Sequence, residues 1–151
     1  MDELFIKIIA GTISTLGFAI IFKLKVKLWP FATICGLAAC LLYFGLSELI
    51  GGDFIPNAVA SFAVALLSEV FARLGKAPAT VFLLPGCIAL VPGGTLYYTM
   101  NNLISENFDL ASKNFLTTLT VGVGIGGGII AASLVRLFFT AIINKIKKND
   151  Y

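Results

Sequence analysis

The chain has 151 residues, 58% of them hydrophobic and only 13% charged, against about 25% charged in ordinary globular chains. With a mean hydropathy of +0.97, a soluble fold is excluded, because a domain this short has too little interior to hide so much apolar side chain. The net charge of +3 contains no basic run interleaved with aromatics, which leaves a nucleic-acid partner without support, and the absence of histidine removes the commonest general base and metal ligand.

A membrane helix needs about 20 apolar residues, and five stretches qualify in chain order. Residues 4–22 come first, with Lys7 placed to snorkel. The opening "MDELFIKIIAGTIS" is acidic and lacks a basic n-region, so it reads as a span rather than a cleaved signal peptide. Residues 29–50 follow, with Trp29 and Pro30 at the interface. Residues 54–74 are less apolar, carrying Ser61, Ser68 and Glu69. Residues 78–104 are interrupted by two Pro-Gly pairs, and residues 115–143 have an apolar heart ending near Arg136. The connections "KLKVK", "GGD", "GKA" and "SENFDLASKN" leave no room for a soluble domain. The expected fold is therefore all-α: one polytopic transmembrane bundle over 1–151, of about five helices, the fourth broken.

Charge placement suggests an orientation. Lys23, Lys25 and Lys27, then Arg73 and Lys76, then Lys145, Lys147 and Lys148 fall on one side. Asp2 and Glu3, then Asp53, then Glu106 and Asp109 with the single Lys113 fall on the other. This predicts the N-terminus outside and the C-terminus in the cytoplasm. An odd number of spans cannot be two equal inverted halves, which hints at a partner or a homo-oligomer.

Several residues are candidates for chemistry or packing. Cys35, Cys40 and Cys87 form no C-x-x-C pair and lie in apolar runs, so they read first as small buried side chains, with a disulfide or metal role the lesser alternative. "VGVGIGGG" matches G-x-G-x-x-G at Gly122, Gly124 and Gly127, but it lacks the preceding strand and following acid of a dinucleotide site, so no cofactor is expected. The same stretch pairs Gly122 with Gly126, Gly124 with Gly128, and Gly128 with Ala132, the spacing that lets two membrane helices approach closely. Glu69 and Arg73, at i and i+4, share a helix face and can pair, either as an interfacial salt bridge or, in the sharper reading, with Arg73 guiding an anionic substrate or Glu69 titrating during transport. Ser61 and Ser68 satisfy a backbone or a neighbouring helix, or else contact a substrate.

The broken fourth stretch, "FLLPGCIALVPGGTLYYTMNN", is the most informative. Proline removes an amide donor and glycine loosens the turn. Unpaired backbone is tolerated in a membrane only when buried in protein or lining a watered cavity. A helix restarting after Pro92, Gly93 and Gly94 would aim its first amides at the break, a site suited to a carboxylate. Thr95, Tyr97 and Asn101 give that half-helix a polar edge. The alternative is a proline-kinked helix with an interfacial aromatic belt.

"LLPGCIALVPGGTLYYTM", preceded by "VASFAVALLSEVFARLGKAPATVF", resembles the threonine/serine exporter (ThrE) family, most of all its small, membrane-only YjjB-like component. The family pattern falls on Ala60-Ser61, Arg73, Pro78, and Pro92-Gly93 with Tyr97, and "GFAIIFKLKVKLW" with Gly36 is also similar. The resemblance implies a secondary exporter of a small polar metabolite such as threonine, serine or a dicarboxylate like succinate, in a bacterial-type plasma membrane. It implies a larger membrane partner with a hydrolase-like cytoplasmic portion that this chain is expected to lack. No catalytic residues carry over. The substrate contacts expected are Pro92, Gly93, Gly94, Thr95, Tyr97, Asn101, Ser61 and Arg73. The rival readings are an assembly subunit without its own substrate site and a homo-oligomeric channel. A membrane enzyme has no support, for want of histidine, a metal-ligand cluster or suitably paired carboxylates.

Overall fold

The computed structural model describes the backbone of residues 2–149 and the side chains of 3–141 and 145. Asp2, Lys147 and Lys148, which entered the charge pattern, lie outside the described side chains, as do Ile142 and Ile143 at the end of the fifth expected span. Among the described residues there are six α-helices: α1 (Asp2–Ile21), α2 (Trp29–Ile50), α3 (Phe54–Gly75), α4 (Thr80–Ile88), α5 (Gly93–Ile104) and α6 (Phe108–Asn149). Four are long and apolar enough to cross a membrane, and α4 with α5 makes a fifth if that bent pair is one span. The protein is an all-α, multi-pass membrane bundle.

Local chemistry sets the helix ends. Trp29 Nε1 donates to the Leu24 carbonyl at 3.0 Å, tying the α1–α2 connection to the start of α2, where Pro30 needs no amide partner. The α2–α3 turn runs through Gly51 and Gly52 at φ 71° and 73°, a left-handed region that glycine enters without strain. Helix α6 starts well before the apolar residue 115. Asn107 caps it, its Oδ1 accepting from the Leu110 amide at 3.4 Å, and Asp109 follows in the first turn. The polar "NFDLASKN" contains neither proline nor glycine, so the expected connection becomes helix.

Helix α2 is central, touching α1, α3 and α4. The buried core is built largely from small side chains: Ala19, Ala32, Cys35, Ala39, Ala60, Val64 and Cys87, with Phe82 and Leu90. Lipid gives no hydrophobic drive for helices to associate, so close approach of small residues supplies the dispersion energy instead. One aromatic cluster supplements it, with Phe82 edge-on to Phe31 and Phe71 at centroid distances of 6.1 and 6.3 Å. All three cysteines are buried and free.

Helix α6 packs on α3 in a parallel register. A β-carbon at Gly124 would lie 2.9 Å from the Phe54 carbonyl oxygen, Gly128 meets Ala58 and Ser61, and Arg136 reaches Glu69. Gly124, Gly128 and the buried Ala132 therefore form the contact row, whereas Gly122 and Gly126 have nothing within 4 Å of an added β-carbon. The helix that the glycine row approaches is thus in the same chain. Residues 108–123 run on past the first turn of α3 for about 24 Å at 1.5 Å per residue. There α5 lies against α6, and α5 packs chiefly on α6 alone.

Candidate functional site

The chain breaks once in the fourth stretch, not twice. Helix α4 runs through Pro85 and Gly86, both buried, and the axis turns by 55° between α4 and α5. The turn is closed by three backbone bonds: Leu90 N–H to Cys87 at 2.9 Å, Val91 N–H to Ile88 at 3.2 Å, and Gly93 N–H to Val91 at 2.8 Å. The last, with Pro92 at φ −79° and ψ 56°, is an inverse γ-turn, whose φ the proline ring already imposes.

Helix α5 then begins with donors to spare. The Gly93 amide is used in the γ-turn, and the Leu96 amide donates to the Pro92 carbonyl at 3.1 Å. The amides of Gly94 and Thr95 fall between them, among the first-turn donors that no helical carbonyl can reach. No acidic side chain stands in that turn and no side chain caps it. The positive end of the α5 dipole thus has no acid of its own turn against it. The Thr95 hydroxyl is committed elsewhere: it donates to the Pro92 carbonyl at 3.1 Å and accepts from Thr118 Oγ1 of α6 at 2.9 Å.

This helix start faces a cavity of about 280 Å³. The break supplies one wall, residues 89–95. Tyr43 of α2, Asp53 of the α2–α3 turn, Asn57 of α3, and Thr117 and Val121 of α6 supply the rest. Asn57 is 1% exposed, and its Nδ2 donates to the Asp53 carbonyl at 2.6 Å. A carbonyl accepts only from Nδ2, so the amide orientation is set and Oδ1 is left buried without a partner. Such an orphan costs about 1–3 kcal/mol unless something donates to it. The cavity lies between the level of Tyr43 and the α2–α3 turn, toward one end of the bundle.

The remaining expected contacts lie outside this cavity. Tyr97 is 66% exposed and stacks edge-on against Tyr98, and Asn101 is exposed farther along α5. Ser61 is fully buried, donates to Ala58 and packs on Gly128, so it belongs to the α3–α6 contact. Ser68 donates to the Val64 carbonyl at 2.8 Å within its own helix. Arg73 is exposed near the other end of α3, about 24 Å along the helix from Asn57. The Glu69–Arg73 pair that the spacing allows is not formed: Glu69 Oε1 accepts from Arg136 Nη1 at 2.9 Å. The parallel α3–α6 register brings Arg136 to the carboxylate, an option invisible to i, i+4 spacing. Arg73 instead lines an apolar groove with Leu66, Val70, Val135 and Phe139.

Sequence reasoning missed Tyr43, Asp53 as a lining residue, and Asn57. Asn57 had a signal, a carboxamide four residues into an apolar helix, where polar groups are expensive and tend to be functional. Among the described residues no three cysteine, aspartate or glutamate side chains converge to hold a metal ion.

Two uncharacterized proteins of Schizosaccharomyces pombe are similar to the chain. C7D4.12c is 26% identical over 146 residues, covering 85% of this chain and 19% of the relative. C16A10.01 is 27% identical over 101 residues, covering 67% of this chain and 12% of the relative. The chain thus spans less than a fifth of the length of these relatives. No solved structure matches it. The family model described as "Threonine/Serine exporter, ThrE" matches residues 7–135, nearly the whole bundle from α1 into α6, and the chain belongs to that family of membrane transporters.

Proposed function

We propose that the chain is a subunit of a secondary transporter that exports a small polar metabolite bearing a carboxylate, a threonine/serine-type amino acid or a dicarboxylate such as succinate. The observation that carries this reading is the cavity at the helix break, lined by the start of α5 with its free amides and by Asn57, whose Oδ1 is buried without a partner. Amides at a helix start hold a carboxylate by charge-assisted hydrogen bonds, and discontinuous helices serve transporters in this way. Membership of the exporter family supports the direction of transport. In this reading Pro92 and Gly93 shape the turn, and Gly94 and Thr95 donate through their backbone. Tyr97, Asn101, Ser61 and Arg73 stand outside the substrate's reach.

A larger membrane partner completes the transporter. The apolar exposure of α5 and the start of α6 supports this: Leu96, Tyr97, Tyr98, Met100, Phe108 and Leu116 are each at least half exposed. The much greater length of the relatives fits a portion joined to further chain. The lysines on one side and the acids on the other support a plasma-membrane orientation with the N-terminus outside.

Efflux of labelled serine, threonine and succinate from cells carrying Gly93→Leu tests the site. An added β-carbon at Gly93 meets nothing within 4 Å, so the variant inserts and folds. Leucine there places a branched apolar side chain on the cavity wall, and efflux is lost. Unchanged efflux with normal insertion would instead favour an assembly subunit, whose support is the same apolar exposure of α5 and the start of α6, with substrate contacts on the partner.

A further inference from the structure

The two sides of the break cavity differ in electrostatic sign. On one side the start of α5 presents amide donors and the positive end of a helix dipole. The α2–α3 side contributes the half-buried Asp53, Tyr43 and Asn57, whose Oδ1 is buried without a partner. The Asn57–Asp53 hydrogen bond ties the carboxamide to the turn that carries the carboxylate, so two acceptors share one wall. Among the described residues no lysine or arginine lines the cavity to balance them.

We propose that Asp53 and Asn57 are the specificity-determining residues of this site: together they accept an ammonium group, while the α5 amides take a carboxylate. This rests on the substrate site proposed above and adds the end of the substrate that the break itself does not read. An ammonium has donors for both the Asp53 carboxylate and Asn57 Oδ1, which relieves the orphan. A second carboxylate in the same place would face Asp53 with no cation nearby and leave Asn57 Oδ1 unpaired. The cavity is built for a zwitterion, and a dicarboxylate is selected against by like charge.

The test compares L-serine with 3-hydroxypropanoate, which is serine without its amino group. Everted membrane vesicles are prepared from the producing strain, with the chain in its native membrane, and uptake is measured against vesicles lacking it. Each unlabelled compound competes for labelled serine. The native chain prefers serine by at least about tenfold, the least expected for one lost hydrogen bond to a charged group. Asp53→Asn reduces that preference to about threefold or less, and Asp53→Glu retains it. If Asp53→Asn abolishes transport, retention in Asp53→Glu still supports the role of the charge. An unchanged preference in Asp53→Asn, or an equal loss in both variants, overturns the inference. Failure of the parent reading is distinct, because it requires that Gly93→Leu leave transport intact.

Discussion

Pro85-Gly86 and Pro92-Gly93 are the same dipeptide in one hydrophobic stretch, and the fold uses them in opposite ways. Pro85 is fully buried inside α4, and a β-carbon on Gly86 would come within 2.8 Å of Cys35 Cβ and 2.9 Å of Val64 Cγ1. That pair lets α4 lie directly against α2 and α3. Pro92 sits in an inverse γ-turn, and Gly93 has open space around it. That pair ends one helix and starts another beside a cavity. Proline and glycine mark a place where backbone matters, and the neighbours decide whether it is a packing place or a binding place.

The sharpest way to break this comparison is to make the same substitution at both glycines. Gly86→Leu pushes a branched side chain into two rigid neighbours, at the top of the overpacking range or above it, about 3 kcal/mol or more. The expected result is loss of the folded bundle, read as loss of a monodisperse peak in detergent and gain of protease sensitivity. Gly93→Leu leaves both readouts near the native values while efflux falls. If both variants fold, or both fail to fold, the two pairs are not as different as their surroundings indicate.

The glycine row of α6 offers a second, smaller contrast. Gly124→Leu collides with the Phe54 carbonyl and spreads α3 from α6, destabilising the fold by about 1–3 kcal/mol. Gly122→Leu meets nothing and stays within about 0.5 kcal/mol, as surface substitutions do. Thermal unfolding in detergent separates them. Equal destabilisation by both would mean that the face bearing Gly122 is also packed.

The spans were legible because lipid reduces the sequence problem to length and apolarity, and the break was legible because proline punctuates backbone. What packs across the bundle was not. Glu69 has a local partner by spacing in Arg73, but a distant residue wins, since the parallel α3–α6 register is a tertiary fact. Residues 108–114 read as a connection because they are polar, although Asn107 and Asp109 form an ordinary helix start. At the site, residues 92–95 were recoverable from the segment itself. Tyr43, Asp53 and Asn57 come from other segments, and only the three-dimensional arrangement assembles them. Asn57 was passed over for Ser61, yet the serine satisfies its own helix and the carboxamide oxygen does not.

The smallest effect concerns how the break is held. Thr118 Oγ1 of α6 shares its one proton between the Asn114 carbonyl of its own helix and Thr95 Oγ1, each at 2.9 Å, and Thr95 in turn donates to the Pro92 carbonyl, so α6 reaches the γ-turn through two hydroxyls. Thr118→Val keeps the shape and removes the donor. Hydrogen bonds between membrane helices average about 0.6 kcal/mol, so thermal stability falls only slightly. The consequence is local: the start of α5 loses an anchor while α4, packed in the bundle, does not. Amide exchange should quicken at Gly93 and Leu96, whose amides are bonded at the turn, and stay unchanged at Phe82 and Leu83, with efflux reduced about threefold or less. Uniform quickening across both helices would instead show that α4 and α5 move as one unit, and that the bend at Pro92 divides the chain in shape but not in dynamics.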